Sequence, residues 1–368
     1  MQAQIAVALT LVAMLVIAST LITLDKINTG TNTIDPPTTL ANIGNVTYSA
    51  TYQSNNAINK IAFVQPTFTY AAYQLHGFYN FYAKYLHVPD GVNVTTDLNL
   101  FTVKIPHGPF LLHNQQLSDV PHIPQKEYLD TTFSHVKNNA PASIIANITD
   151  KDVHDGKIFM QNSSNAYSVL FLFHAEYATQ AEYNNFKKFV ENGGTIVFND
   201  ANIFTTEVRY NNANDTITLV RGHTWQYNGQ SAWRVERERW GNETQQWVGS
   251  NFLDAPTTDK LTFINNPFNY THTEEQYVSN QNDKIILDFG LQDADHKVDA
   301  KDPSDGDVNH SKVAVYELQH GHGRVVMLGI FGHTLLNNKN FFEFYDKEII
   351  PRALNDTIIS ATITKTGM

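Results

Sequence analysis

Two hydrophobic periods meet in the middle of this chain. Residues 169–173, Val-Leu-Phe-Leu-Phe, are a continuous apolar run too short for a helix, the pattern of a strand covered on both faces of a parallel sheet. Downstream, Tyr183, Phe186, Phe189 and Val190 recur at helical spacing and mark one apolar helix face. Thr179 and Glu182 have capping-box spacing at its start, Gly193 offers a left-handed residue at its end, and residues 195–198 are strand-like again. This predicts a strand, helix, strand unit around which the chain is organised.

The same reading places other elements. A strand is expected at 61–64, a turn at 66–69, and a buried aromatic segment at 70–85 carrying Tyr70, Tyr73, Phe78, Tyr79, Phe81, Tyr82 and Tyr85. Alternating residues 98–105 predict a strand and 106–110 a turn; 127–140 predicts a helix stopped before Pro141, and 142–148 a further buried strand. Residues 205–282 show no helical period and predict an insertion of short antiparallel strands holding Trp225, Trp233, Trp240 and Trp247. Strands at 284–289, 312–318 and 324–330 and a closing helix at 340–354 complete a domain over 59–356, with a tail at 357–368. The expected class is α/β, a parallel sheet with helices on both faces and a β-rich insertion at about 205–282.

Composition changes the picture at the amino terminus. Residues 5–24 are apolar and uncharged, about the 20 residues a bilayer span needs, so 1–26 is expected to be a membrane anchor, or a signal segment if cleaved. Residues 27–58, rich in Asn, Thr, Ser and Pro, are expected as a polar tether. Asn-x-Ser/Thr acceptors at Asn45, Asn93, Asn147, Asn162, Asn214, Asn242, Asn269, Asn309 and Asn355 fit a body outside the cytoplasm, at the cell membrane or secreted. A net charge of −11 without a Lys/Arg block gives nucleic acid no footprint, and the absence of cysteine excludes disulfides and a thiol nucleophile.

Candidate chemistry sits where strands end. His174, Ala175, Glu176 and Tyr177 join the first central strand to its helix, where ligands of open α/β sheets bind. His174 and Glu176 are candidates for metal ligation or acid/base work, against the alternative that Glu176 only favours the nearby helix start. Asp150, Asp152 and His154 leave a strand at the same end, as does the stretch with Asn202. The acidic run 293–307 has the oxygen density for Ca²⁺ but lacks EF-hand spacing, and His320-Gly-His322 is a weak metal motif in a turn.

Several segments, in order, resemble the large (beta) subunit of N,N-dimethylformamidase. They are Thr69-Tyr-Ala-Ala-Tyr73 with Tyr79 behind it, residues 149–154, His174-Ala-Glu-Tyr177, Gly193-Gly194, residues 202–209 and Gly323-Arg-Val-Val326. The resemblance implies a class I glutamine amidotransferase-like, flavodoxin-like domain over roughly 60–345. It also implies amide hydrolysis at a mononuclear iron, with Glu176 and Tyr73 matching ligands and His174 the neighbouring histidine. Zinc is the alternative metal. Where a second tyrosine ligand is expected, this chain has His107-Gly-Pro-Phe110, so His107, Tyr70 or Tyr79 would have to compensate. Two functions stand: a membrane-tethered, metal-dependent hydrolase of a small amide, or a non-catalytic glycosylated surface module that binds glycan or protein through its Trp-rich insertion.

Overall fold

A computed structural model describes residues 46–53, 59–74, 77–78, 81, 85–87, 94–99, 102–104, 111–112, 125–222, 226–227, 230–231, 239–252, 262–263, 275–277, 291–292, 315–354 and 357–365. All belong to one unit, Ile43–Met368. Six strands build its central sheet: β1 (Lys60–Gln65), β2 (Ile144–Thr149), β3 (Val169–Leu172), β4 (Thr195–Phe198), β5 (Val315–His320) and β6 (Gly323–Leu328), in the spatial order 5-6-4-3-1-2. Every neighbouring pair is parallel except the edge hairpin β5–β6. Without β5 the order from the other edge is 2-1-3-4-6, the doubly wound arrangement in which the chain changes winding direction between β1 and β3. The fold is α/β, as the hydrophobic pattern predicts.

Four helices matter for the site: α1 (Thr67–Ala72), α2 (Gln125–Asn139), α3 (Asp150–His154) and α4 (Gln180–Glu191). Strand side chains alternate between two cores. Ile61, Phe63, Phe171 and Phe173 face the layer containing Tyr128 and Val136 of α2, while Ala62, Val64, Leu170 and Leu172 face Tyr183, Phe186, Phe189 and Val190 of α4. Each fully buried aromatic or branched side chain contributes about 1.5–3 kcal/mol, so four on α4 fix that helix firmly. Thr179 and Glu182 form the expected capping box, and Gly193 has φ +96°.

A second, five-stranded sheet adjoins the carboxyl end of the first. Its order is Thr102–Lys104, Thr95–Asp97, Thr216–Gly222, Thr206–Asn211 and Tyr177–Ala178. Phe68, Phe78, Tyr177, Ile217 and Leu219 pack between it and α1. The chain therefore passes from β3 through four residues, Phe173 to Glu176, and joins the second sheet.

The structure departs from the pattern-based expectations in several places. The turn expected at 66–69 is the start of α1, because Asp150, distant in sequence, accepts the Phe68 amide at 2.6 Å and replaces a local cap. The single strand at 98–105 is instead a hairpin, Thr95–Asp97 with Thr102–Lys104, turned where the Asn99 amide donates to Asp97 Oδ1. The strand expected to be buried at 142–148 is the sheet edge, with Ile144 59% exposed. Residues 149–156 include α3, started by its own capping box, Thr149 with Asp152. The insertion contains a helix, Gly241–Trp247, whose Trp247 lies with Trp240 inside the α4 core, so neither indole is a surface platform. The closing helix is Lys339–Phe344, a π turn Tyr345–Ile349 and Ile350–Ala353; Pro351 has no amide for the preceding turn, and the backbone widens there. Val46–Gln53 and Thr357–Lys365, from the expected tether and tail, pair antiparallel.

Some expectations lie outside the described residues: the apolar run 5–24, the strand at 284–289, the acidic run 293–307, Trp225, Trp233, His107, Phe110, Tyr79 and the acceptors Asn45, Asn93, Asn269, Asn309 and Asn355. Among the described residues, no helix is long and apolar enough to cross a membrane.

Candidate active site at the carboxyl end of the sheet

In doubly wound sheets ligands bind in the crevice beyond the carboxyl ends of the strands where the winding direction changes, here β1 and β3. From the β1 side comes Tyr73, which ends α1; from the β3 side come His174 and Glu176. The connecting loop is held by its backbone. The Phe204 amide donates to Ala175 O at 2.9 Å, the Thr206 amide to Glu176 O at 3.1 Å, and the Tyr177 amide to Thr69 Oγ1 at 3.0 Å. With both sides pinned, the side chains between them are pre-set rather than mobile.

Five ionisable groups follow one another across the crevice. Tyr73 donates its hydroxyl proton to Glu176 Oε2 at 2.6 Å, and His174 Nε2 lies 3.2 Å from the same oxygen. On the other side of the ring, His174 Nδ1 is 3.5 Å from Asp200 Oδ2, which lies 2.7 Å from His333 Nδ1. His174, Glu176 and Asp200 are buried; Tyr73 and His333 are half-buried. Phe331 stacks parallel on the His174 ring at 5.9 Å and Tyr73 meets it edge-on at 5.4 Å, so the imidazole has little freedom to turn.

The electrostatics follow from this order. Burial opposes a charged His174, yet the carboxylates on either side of the ring, Asp200 first and then Glu176, outweigh it and lift the imidazole to about 10. Burial would likewise raise Asp200, but the charge of His333, its hydrogen bond at 2.7 Å and the neighbouring His174 ring hold the carboxyl below the usual range. The His174 Nδ1 to Asp200 separation is too long for a good hydrogen bond, and that buried nitrogen has no hydrogen-bond partner.

The structure thus brings Tyr73, His174 and Glu176 together. Tyr70 is half-buried on α1, its carbonyl accepting from Gln74, and Tyr177 is buried with its ring stacked on Phe78 at 6.0 Å. Asp152 caps its own helix and pairs with Lys157, and His154 Nδ1 lies 2.7 Å from Thr179 Oγ1, so both are engaged away from the five-group row. Asn202 is buried in a left-handed conformation, φ +64°, with Oδ1 unpartnered. His320 and His322 flank Gly321 in the β5–β6 turn, at the amino end of β6 and so at the opposite end of the sheet. Asp200 and His333 were not marked by the sequence pattern. Their signal is positional, since each lies just beyond the carboxyl end of a parallel strand, β4 or β6.

Fold and site together define a doubly wound α/β protein with a buried row of ionisable groups beyond the carboxyl ends of its parallel strands. The family model described as N,N-dimethylformamidase beta subunit-like, C-terminal, matches residues 48–295, and the chain belongs to that amidohydrolase-type family. No curated protein matches. Among solved structures, a catalytic mutant of Gan42B, a GH42 beta-galactosidase from G. stearothermophilus, is similar at 12% identity and TM-score 0.34 over 66% of this chain and 28% of that one. The exo-beta-1,4-mannosidase Op5Man5 from Opitutaceae bacterium strain TAV5 is similar at 10% identity and TM-score 0.35, over 82% of this chain and 36% of that one. This chain spans well under half the length of those structures, and likeness at that level carries no argument about function.

Proposed function

We propose that this protein hydrolyses the carbon–nitrogen bond of a small amide, with metal assistance, at the crevice formed by Tyr73, His174 and Glu176. The observation that carries the reading is the meeting of these three side chains, from two separate strand ends, at the winding change of an amidohydrolase-type fold. The iron expected from the family resemblance requires hard, anionic oxygen donors. Tyr73 and Glu176 offer a phenol and a carboxylate oxygen 2.6 Å apart, which fits two of its ligands. When bound, the metal would polarise the amide carbonyl and lower the pKa of a water.

The chain's own groups have separable tasks. Glu176, fixed through its backbone by Thr206, keeps its carboxylate between the phenol and the imidazole. His174 holds a proton at Nε2 on the crevice side and is the group to deliver it to the departing amine. Asp200 favours the charged ring, and Phe331 limits its rotation. We also place this domain outside the cytoplasm on a membrane anchor, supported by the apolar run 5–24 and by exposed acceptors Asn147, Asn162, Asn214 and Asn242.

The test is amine release from a panel of short formamides and acetamides by metal-replete protein. His174→Gln is expected to lower kcat about 10²-fold or more, the usual range for a lost general acid, and Glu176→Gln to abolish turnover. Wild-type protein inert toward every small amide, or a His174→Gln variant with unchanged kcat, would overturn the proposal.

A further inference from the structure

We propose that His174 Nδ1, Asp200 and His333 form a second metal position, on the far side of the His174 ring from Glu176, suited to a zinc-class divalent ion. One imidazole nitrogen, one carboxylate oxygen and a second imidazole nitrogen all lie within 4.8 Å of one another, drawn from the ends of β3, β4 and β6. Two nitrogens and one carboxylate are the donors of three-ligand zinc sites that keep a fourth position open.

The spacing is close to what a bound ion requires. Ligand bonds of about 2.1 Å in tetrahedral geometry separate donors by about 3.4 Å. The His174 Nδ1 to Asp200 Oδ2 distance is 3.5 Å; the Asp200 to His333 contact, 2.7 Å, is a hydrogen bond that would open as the ion replaced its proton. The independent sign is the orphan nitrogen. His174 is buried, its Nδ1 has no hydrogen-bond partner, and it points at Asp200. A buried imidazole nitrogen left unmade costs about 1–3 kcal/mol, and a coordinated ion would satisfy it.

The surroundings match those of metal-bound histidines. Such a ring ordinarily turns its other nitrogen to a carboxylate, which fixes the tautomer; here His174 Nε2 faces Glu176 Oε2 at 3.2 Å. An ion at Nδ1 takes the place of the second ring proton, so it competes with the charged form of His174, and it leaves the Nε2 proton on the side of Tyr73 and Glu176. Phe331 and Tyr73 wall the ring, while His333 is itself only half-buried.

The experiment uses the full chain, untagged and freed of metal, titrated with Zn²⁺ and with Co²⁺, whose visible bands report four-coordinate nitrogen and oxygen ligation. Wild type is expected to show those bands, and Glu176→Gln, which lacks the carboxylate of the first position, to bind about one equivalent with them. Asp200→Asn and His333→Gln are expected to weaken binding at least about 10-fold, in line with loss of a ligand, and to erase the bands, while Glu176→Gln keeps them. Half-buried His333 is replaced without a core change, so its variant reports ligation even if Asp200→Asn fails to fold. No Zn²⁺ or Co²⁺ bound by wild type, binding unchanged in His333→Gln, or bands lost only in Glu176→Gln would each overturn the proposal. Because His333→Gln and Glu176→Gln each disturb one position, failure here is distinguishable from failure of the hydrolase reading, which amine release tests.

Discussion

Gly332 has no room for a side chain. A Cβ there would run into the Tyr128 hydroxyl and the Asn199 carbonyl, which already hydrogen-bond each other at 2.8 Å. Gly332 opens the 3-10 turn that carries His333, so the glycine sets how closely His333 approaches Asp200. Gly332→Ala is expected to destabilise by about 1–3 kcal/mol, the range for overpacking, and to loosen the His333–Asp200 contact. Urea unfolding checks the first part; a neutral result would mean that α2 and the turn can separate more easily than their packing indicates. The residue scale also shows how far sequence reaches. His174 and Glu176 are legible because two functional residue types stand at a strand end ahead of a capped helix. Asp200 and His333 are not, since they become neighbours only because β4 and β6 pair, a tertiary fact.

At the scale of elements, three helix starts are tied together by buried acids. Asp150 opens α3 yet accepts the Phe68 amide of α1, and Glu182 closes the capping box of α4. Burial pushes Asp150 up to about 7, against the hydrogen bonds it accepts, and Glu182 is raised well above the ordinary carboxylate range by burial and then by the charge of Asp150. Both acids bind protons more tightly folded than unfolded. The contribution of Asp150 to stability is therefore full below about pH 4 and is lost as pH rises through about 7, by at most about 1.4 kcal/mol per pH unit, and that of Glu182 is lost in the same direction with rising pH. Asp150→Asn keeps an oxygen for the Phe68 amide and removes the titration. The stability of the variant minus that of wild type should then increase from pH 4 to pH 8 in denaturant unfolding; a difference flat or falling with pH would show that Asp150 is not held protonated. The same contacts explain uneven legibility. The β3–α4–β4 unit carries its caps within its own sequence and is read directly, whereas α1 is capped by a residue 82 positions away and reads as a turn.

For the whole molecule, the sheet order decides what is buried and what faces outward. β2 is the parallel edge, so Asn147 on it is exposed, as are Asn162 and Asn214 in turns and Asn242 on the helix Gly241–Trp247. Their surroundings differ. Asn147 sits in a paired strand, and Thr244, the hydroxyl residue of the Asn242 acceptor, is buried against the Tyr183 hydroxyl at 3.1 Å. Asn162 and Asn214 lie in polar turns that present the asparagine itself to solvent, although Thr216, the hydroxyl residue of the Asn214 acceptor, is buried at the start of a strand. If the domain is exported as proposed, peptide mapping of protein from its own cells should find glycan at Asn162 and Asn214 in preference to Asn147 and Asn242. Protease added to intact cells should also reach the domain, whose described turns at Asn162 and Asn214 are exposed. Unmodified peptides at Asn162 and Asn214, together with protection from external protease, would move the protein inside the cell. The crevice chemistry would be untouched by that outcome, because it depends on where β1 and β3 end and not on which side of a membrane they fold.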